Sequence, residues 1–150
     1  GTLFDHVTLA PDEQVSLAGV FVIEAGPRGA VFDQPCPHAV DRRCMVYDIR
    51  PQPCRKYRCT TLIAFQAGEI AYTEAARRIL ETLGARAGAR PHLLQGETFA
   101  QARLRRSIAA SVPVDAARNA HFILAVTALD RLLDRYFCKP GKTMLPSSAG

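Results

Sequence analysis

The chain has 150 residues, 48% of them hydrophobic, and a formal net charge of +5. That length and apolar content suit one folded domain with a real core and argue against intrinsic disorder. No apolar run approaches the roughly 18–20 residues that span a bilayer, so no membrane partner is expected, and no secretory signal is visible at Gly1.

Phe4-Asp5-His6-Val7-Thr8-Leu9 alternates apolar and polar residues and predicts a short strand. Ala10-Pro11-Asp12-Glu13-Gln14 predicts a helix start, with proline in the first turn and acids near the positive end of the dipole. This helix should end near Gly19. Val20-Phe21-Val22-Ile23 reads as a compact β-type run and Gly26-Pro27-Arg28-Gly29 as a turn. Cys44-Met45-Val46-Tyr47 reads as another strand, to be paired with Ala30-Val31-Phe32. Arg50-Pro51-Gln52-Pro53 must be extended or turned, because a residue before proline is pushed out of the helical region. A helix can follow Pro53, with Tyr57, Leu62, Ile63 and Phe65 on its apolar side and a stop at Gly68.

The second half reads as helical. One helix runs from Tyr72 to about Leu83, with Ala76, Ile79, Leu80 and Leu83 spaced as an inward face. Gly84 to Pro91 reads as a linker, and a second helix runs from about Glu97 to Ala110. Pro113 starts the last and longest helix, whose apolar face is Phe122, Val126, Leu129, Leu133 and Tyr136. Asp130, Arg131, Asp134 and Arg135 read as surface charges, Arg131 and Asp134 being placed to pair. The expected fold is α+β, mostly α, in a single domain: a small irregular or β cysteine region over 1–70, a helical bundle over 71–138 and a loose tail over 139–150.

Four of the five cysteines, Cys36, Cys44, Cys54 and Cys59, fall in one segment rich in proline and arginine. An odd number of cysteines in a chain able to build its own core favours a reduced, cytoplasmic setting over a disulfide framework. The commonest use of such a cluster is then a metal ion. The spacing C-x7-C-x9-C-x4-C lacks the close C-x2-C pair of zinc fingers, so the four sulfurs converge only if the loops fold back. On one continuous helix Cys54 and Cys59 would point about 140° apart. They can share an ion if Cys54 precedes the helix or the first turn is irregular. If the helix begins before Cys54, Cys59 drops out and His38 becomes the substitute. Arg42, Arg43, Arg50, Arg55, Lys56 and Arg58 would favour thiolates there, or are simply exposed loop cations. A closed all-cysteine site is usually structural zinc, but soft thiolates also suit iron or an iron–sulfur cluster. Buried thiols with no metal, disulfides and a nucleophilic cysteine are the remaining readings, the last without an identifiable base. His6, His92 and His121 read as structural, and Cys138 as a core residue at a helix end.

Cys36 and the run Cys44-Met45-Val46-Tyr47-Asp48-Ile49-Arg50-Pro51-Gln52-Pro53-Cys54-Arg55-Lys56-Tyr57 resemble the later motif of the YkgJ-type cysteine-cluster family, described as zinc- or iron-chelating domains. The core of the resemblance is Tyr47-x-x-Arg50-Pro51-x-x-Cys54-Arg55, and it extends over about residues 1–75. It implies metal ligation by Cys36, Cys44, Cys54 and Cys59. The family also carries an amino-terminal C-x2-C-x2-C-C group that this chain lacks, and Gly1-Thr2-Leu3-Phe4 resembles the residues just after that group. Further ligands upstream are therefore one expectation.

Three functions are compatible with these residues. The first is a metal-binding accessory protein with a structural zinc or iron site and a protein partner. The second is an iron or iron–sulfur dependent redox or protein-modifying enzyme, a reading the resemblance allows because similar clusters occur fused to a flagellin lysine methylase. The third is a nucleic-acid-binding zinc module using Arg103, Arg105 and Arg106; it ranks last because no stacking aromatics sit beside those arginines.

Overall fold

A computed structural model of the chain describes residues 3–26, 28–41, 43–139 and 144, with the backbone alone at Val114. Seven α-helices and two small antiparallel sheets among these residues make the fold α+β, mostly α, as expected. No described helix is long and apolar enough to cross a membrane. The chain divides into two compact units, Gly1–Tyr57 and Arg58–Gly150. Of the expected tail, residues 140–143 and 145–150 lie outside the described residues.

The first unit contains a three-stranded antiparallel sheet in the order β1 (His6–Thr8), β3 (Gly29–Asp33), β2 (Glu24–Gly26). His6 lies opposite Asp33, and Glu24 opposite Val31. Gly26 faces Gly29 where the β2–β3 hairpin closes. A Cβ at Gly26 would come 2.6 Å from a Val31 methyl, so a larger residue here would force its surroundings to shift. After β1, Pro11–Glu13 forms a 3-10 turn that runs into α1 (Gln14–Leu17), with proline at its start as expected.

Val20–Ile23 is not a strand. The N–H groups of Val20 and Phe21 both donate to the carbonyl of Leu17, which continues the helical turn and drops Phe21 into the core while Val22 stays exposed. A short apolar run carries no period by which to tell these outcomes apart. The core of this unit is Leu9, Leu17, Phe21 and Phe32, with Val7, Val20, Ile23, Cys36 and Val46 against it. The Phe21 and Phe32 rings are 4.3 Å apart. Each such buried side chain contributes about 1.5–3 kcal/mol.

The expected pairing of Cys44–Tyr47 with Ala30–Phe32 is also corrected. Strand β3 already has β1 on one side and β2 on the other, so no edge is open to a further strand. Instead β5 (Arg43–Cys44) pairs with β4 (Ala39–Val40) in a two-residue ladder. Asp41 takes a positive φ of 46° at the tight turn between them, a conformation aspartate tolerates better than most residues. Pro51 is extended, and α2 (Gln52–Lys56) follows directly. Tyr57 returns to extended backbone and ends α2, its ring edge-on to Phe4.

The second unit comprises α3 (Thr60–Gln66), α4 (Tyr72–Ala89), α5 (Phe99–Ser111), α6 (Pro113–Arg118) and α7 (Ala120–Tyr136). Gly68, with φ +74°, ends α3 as the sequence predicts, and Glu69 N–H closes the turn on the Ala64 carbonyl. The helix beginning at Pro113 is interrupted at Asn119, so α7 is a separate helix. Its buried face is Phe122, Val126, Leu129, Leu133 and Tyr136, as read from the spacing.

Helix α4 departs most from expectation. It continues through Gly84 and Gly88 to Ala89, so the supposed linker is helical. Its buried residues are Ala75, Thr82 and Ala89, seven apart, and α4 packs chiefly on α7. Small residues on that face let the two backbones approach closely. The bulkier Ile79, Leu80 and Leu83 point outward instead, Leu80 being 67% exposed.

Candidate metal centre

The four motif cysteines do not all belong to one unit. Cys36, Cys44 and Cys54 lie in the first and Cys59 in the second, and each is a free thiol. Cys36 is half-buried at the entry to the β4–β5 hairpin. Its N–H donates to Gln34 Oε1, and its carbonyl accepts from Ala39 N–H. Cys44 sits in β5, exposed and opposite Ala39, so the hairpin brings the two cysteines to one end.

Cys54 comes from a third segment, the middle of α2. The loop before it is braced by Arg55, whose guanidinium donates to the carbonyls of Arg50 (2.7 Å) and Asp48 (3.1 Å). Arg50 stacks over the Tyr47 ring at 3.8 Å. The Tyr47, Arg50, Pro51 and Arg55 positions of the sequence motif thus shape the loop that carries Cys54. Partial burial pushes the Cys54 thiol above its ordinary range, and the neighbouring Cys36 and Cys44 push it further. Arg50 acts in the opposite direction, and Glu13 raises it again.

Glu13 is a member of this neighbourhood that sequence reasoning missed. Its Oε1 accepts the Gln52 N–H at 2.7 Å, from a residue 39 positions away. Its Oε2 is buried and has no hydrogen-bond partner among the described residues. In the sequence Glu13 reads only as an acid in a first helical turn; its role depends on a contact that no local signal announces.

Cys59 and His38 are already engaged. Cys59 caps α3, its Sγ accepting the Leu62 N–H at 3.4 Å. Although α2 begins before Cys54, it ends before Cys59, so the single-helix geometry considered for that pair does not arise. His38 Nε2 donates to the Val20 carbonyl at 2.7 Å, and its ring stands edge-on to Phe21 at 5.0 Å. Arg42 lies outside the described residues.

Three thiols and a carboxylate suit a divalent ion such as zinc chemically. Among the described residues, however, no three or more His, Cys, Asp or Glu side chains already stand in an arrangement that encloses an ion. A cleft of about 160 Å³ beside the core, lined by Phe21, Phe32, Pro35 and Pro37 among others, is smaller than the roughly 300–1,000 Å³ of small-molecule sites.

The arginines considered for nucleic-acid contact have internal partners. Arg103 and Arg106 hold Asp130 at 2.8 and 2.7 Å, with Asp130 fully buried and Arg106 nearly so. Asp130 is thus a core ion-pair member and not a surface charge, because the partners that neutralise it are on another helix. Arg105 grips Glu97 with two hydrogen bonds of 2.7 Å and lies 3.6 Å over the Phe122 ring. That pairing holds the Glu97 carboxyl below the usual carboxylate range. Cys138, half-buried just beyond α7, has its thiol pushed up to about 11 by burial and by the Asp134 charge.

Comparison with known protein families, with curated proteins and with solved structures finds no match to this chain.

Proposed function

We propose that residues 1–57 form a metal-binding cysteine module whose ion is mainly structural. Cys36, Cys44 and Cys54 are its sulfur ligands, and zinc is preferred over iron. The observation behind this reading is the β4–β5 hairpin, which holds Cys36 and Cys44 toward one end, with both thiols raising that of Cys54 on the following α2. The resemblance of the Tyr47–Arg55 segment to a chelating family points the same way, and so does the bracing of that segment by Arg50 and Arg55. A few short strands and a small buried core are little for a unit of this size, and an ion is a common remedy. Cys59 is not required. An accessory role with a protein partner accompanies this reading, supported by the outward-facing Ile79, Leu80 and Leu83 of α4.

Elemental analysis of the purified chain tests it. Near-stoichiometric zinc, lost in Cys54→Ser and kept in Cys138→Ser, is the expected result. Metal-free protein, or equal metal in both variants, overturns the reading. A brown protein with visible absorbance and iron would favour the redox alternative.

A further inference from the structure

We infer that the outward face of α4 is a self-association surface, on which the α4 of a second copy of this chain lies antiparallel. This rests on the protein-partner part of the proposed reading, gives that partner an identity, and does not depend on the metal.

Helix α4 carries two apolar faces. One, Ala75, Thr82 and Ala89, is buried. The other is Tyr72, Ala76, Ile79 and Leu83, with Leu80 beside it, and its large members are exposed, Tyr72 at 74%. Steps of four, three and four residues make the seam along which two helices pack side by side. The exposed Phe65 ring extends this stripe, standing edge-on to Tyr72 at 6.4 Å. Contiguous apolar surface of this kind marks a place where another surface docks. The stripe also has a dip. Ala76 is small between Tyr72 and Leu80, and these three line an open hollow of about 500 Å³ together with Thr73, Arg77 and Glu81.

The order of charges selects the occupant. Glu69 stands three residues before Tyr72, and Arg86 three residues after Leu83. Neither forms an ion pair among the described residues, and Arg86 Nε is shielded with no partner there. The charges between them neutralise one another within the helix: Arg77 holds Glu74 at 2.8 Å and Glu81 at 2.7 Å, and Arg78 holds Glu74 at 2.8 Å. The unpaired acid and the unpaired base therefore lie symmetrically about the middle of the stripe. An antiparallel copy sets Glu69 against Arg86 at both ends, Tyr72 opposite Leu83, and Ile79 opposite the dip at Ala76. A parallel copy would set Glu69 beside Glu69 and Arg86 beside Arg86. Antiparallel helices also oppose their dipoles.

The size of the face fits a modest dimer. The 18 residues of α4 make a helix about 27 Å long and about 10 Å wide. Pairing along it, with Phe65 at the end, buries roughly 1,000 Å² in total, the lower limit of a specific interface. Association in the micromolar range is the expectation. The contact is two-fold and uses the same face on both copies, so it closes at the dimer.

The test is the mass of the whole chain in solution, by analytical ultracentrifugation from low to high micromolar concentration. Monomer should pass to dimer and no further. Leu83→Glu, at an exposed position, should raise the dissociation constant at least about 100-fold with helical circular dichroism unchanged, and Leu80→Glu, on the rim of the hollow, should weaken the dimer too. Glu69→Arg and Arg86→Glu should each weaken it about 3–10-fold, and the double reversal should recover the wild-type constant, because it only exchanges the ends of each pair. A chain that stays monomeric throughout, or a dimer that both leucine variants leave intact, overturns the assignment. A double reversal no tighter than the single ones overturns the antiparallel arrangement. Zinc content, measured on the same samples, scores the metal reading separately: metal-free protein that dimerises sinks only that reading, and zinc-loaded monomer sinks only the dimer.

Discussion

The two units of this protein solve the problem of stability differently. In Arg58–Gly150, long helices meet through Val126, Leu129 and Leu133, and a buried ion-pair triad, Arg103–Asp130–Arg106, is fully satisfied. In Gly1–Tyr57 the strands are two to five residues long and the core is the small cluster of Leu9, Leu17, Phe21 and Phe32, with Val31 and Pro51 buried besides. Buried polar atoms without a partner among the described residues occur in both units, Thr60 Oγ1 and Arg86 Nε being those of the second. In the first unit Glu13 Oε2 is the one that lacks a partner among the described residues. Under the proposed reading, the short strands and small core of the first unit are why it needs an ion and the helical unit does not.

The severest perturbation strikes the helical unit. Asp130→Ala leaves two guanidinium groups in the interior with no counter-charge, and should cost about 3–5 kcal/mol in denaturant-induced unfolding followed by helical circular dichroism. Added zinc should not restore that loss. On the other side, zinc at about 100 times its dissociation constant should stabilise the wild-type first unit by about 2.7 kcal/mol, and Cys54→Ser should abolish the gain. If zinc rescued Asp130→Ala, the contrast between the units would fail.

Milder changes probe the helical unit by itself. Thr98 caps α5 in a reciprocal capping box with Gln101, so Thr98→Ala should cost about 1 kcal/mol by the same unfolding measurement, with zinc affinity unchanged. The mildest is a pH response at Cys138. The folded chain keeps this thiol protonated up to about 11, whereas the unfolded chain ionises it from about its ordinary 9.0. Between those values the unfolded state binds fewer protons, so stability falls as pH rises through that window. Cys138→Ala should flatten the fall; an unaltered profile would show that this thiol is not responsible.

Features written in local pattern were legible in the sequence. The inward face of α7 follows from apolar spacing, the turn at Pro11 from proline's fixed φ, and the end of α3 from the positive φ that Gly68 permits. The inward face of α4 was not, because Ala75, Thr82 and Ala89 are buried for their small size, and a reading that ranks residues by apolarity selects Ile79, Leu80 and Leu83. Asp130 looked like a surface acid because its partners lie 24 and 27 residues away. At the candidate site the cysteine motif was visible, but the structure leaves Cys59 in the second unit and, among the described residues, arranges no three such side chains around an ion. Glu13 was hidden for the same reason as Asp130: its decisive contact spans 39 residues.

Whether an ion organises the first unit is decided by amide hydrogen exchange on the zinc-loaded chain, before and after chelation. Removing the ion should speed exchange around Cys36, Cys44 and Cys54 while α7 keeps its protection. Exchange that is the same with and without zinc across residues 1–57 would contradict the proposal that an ion holds this unit together.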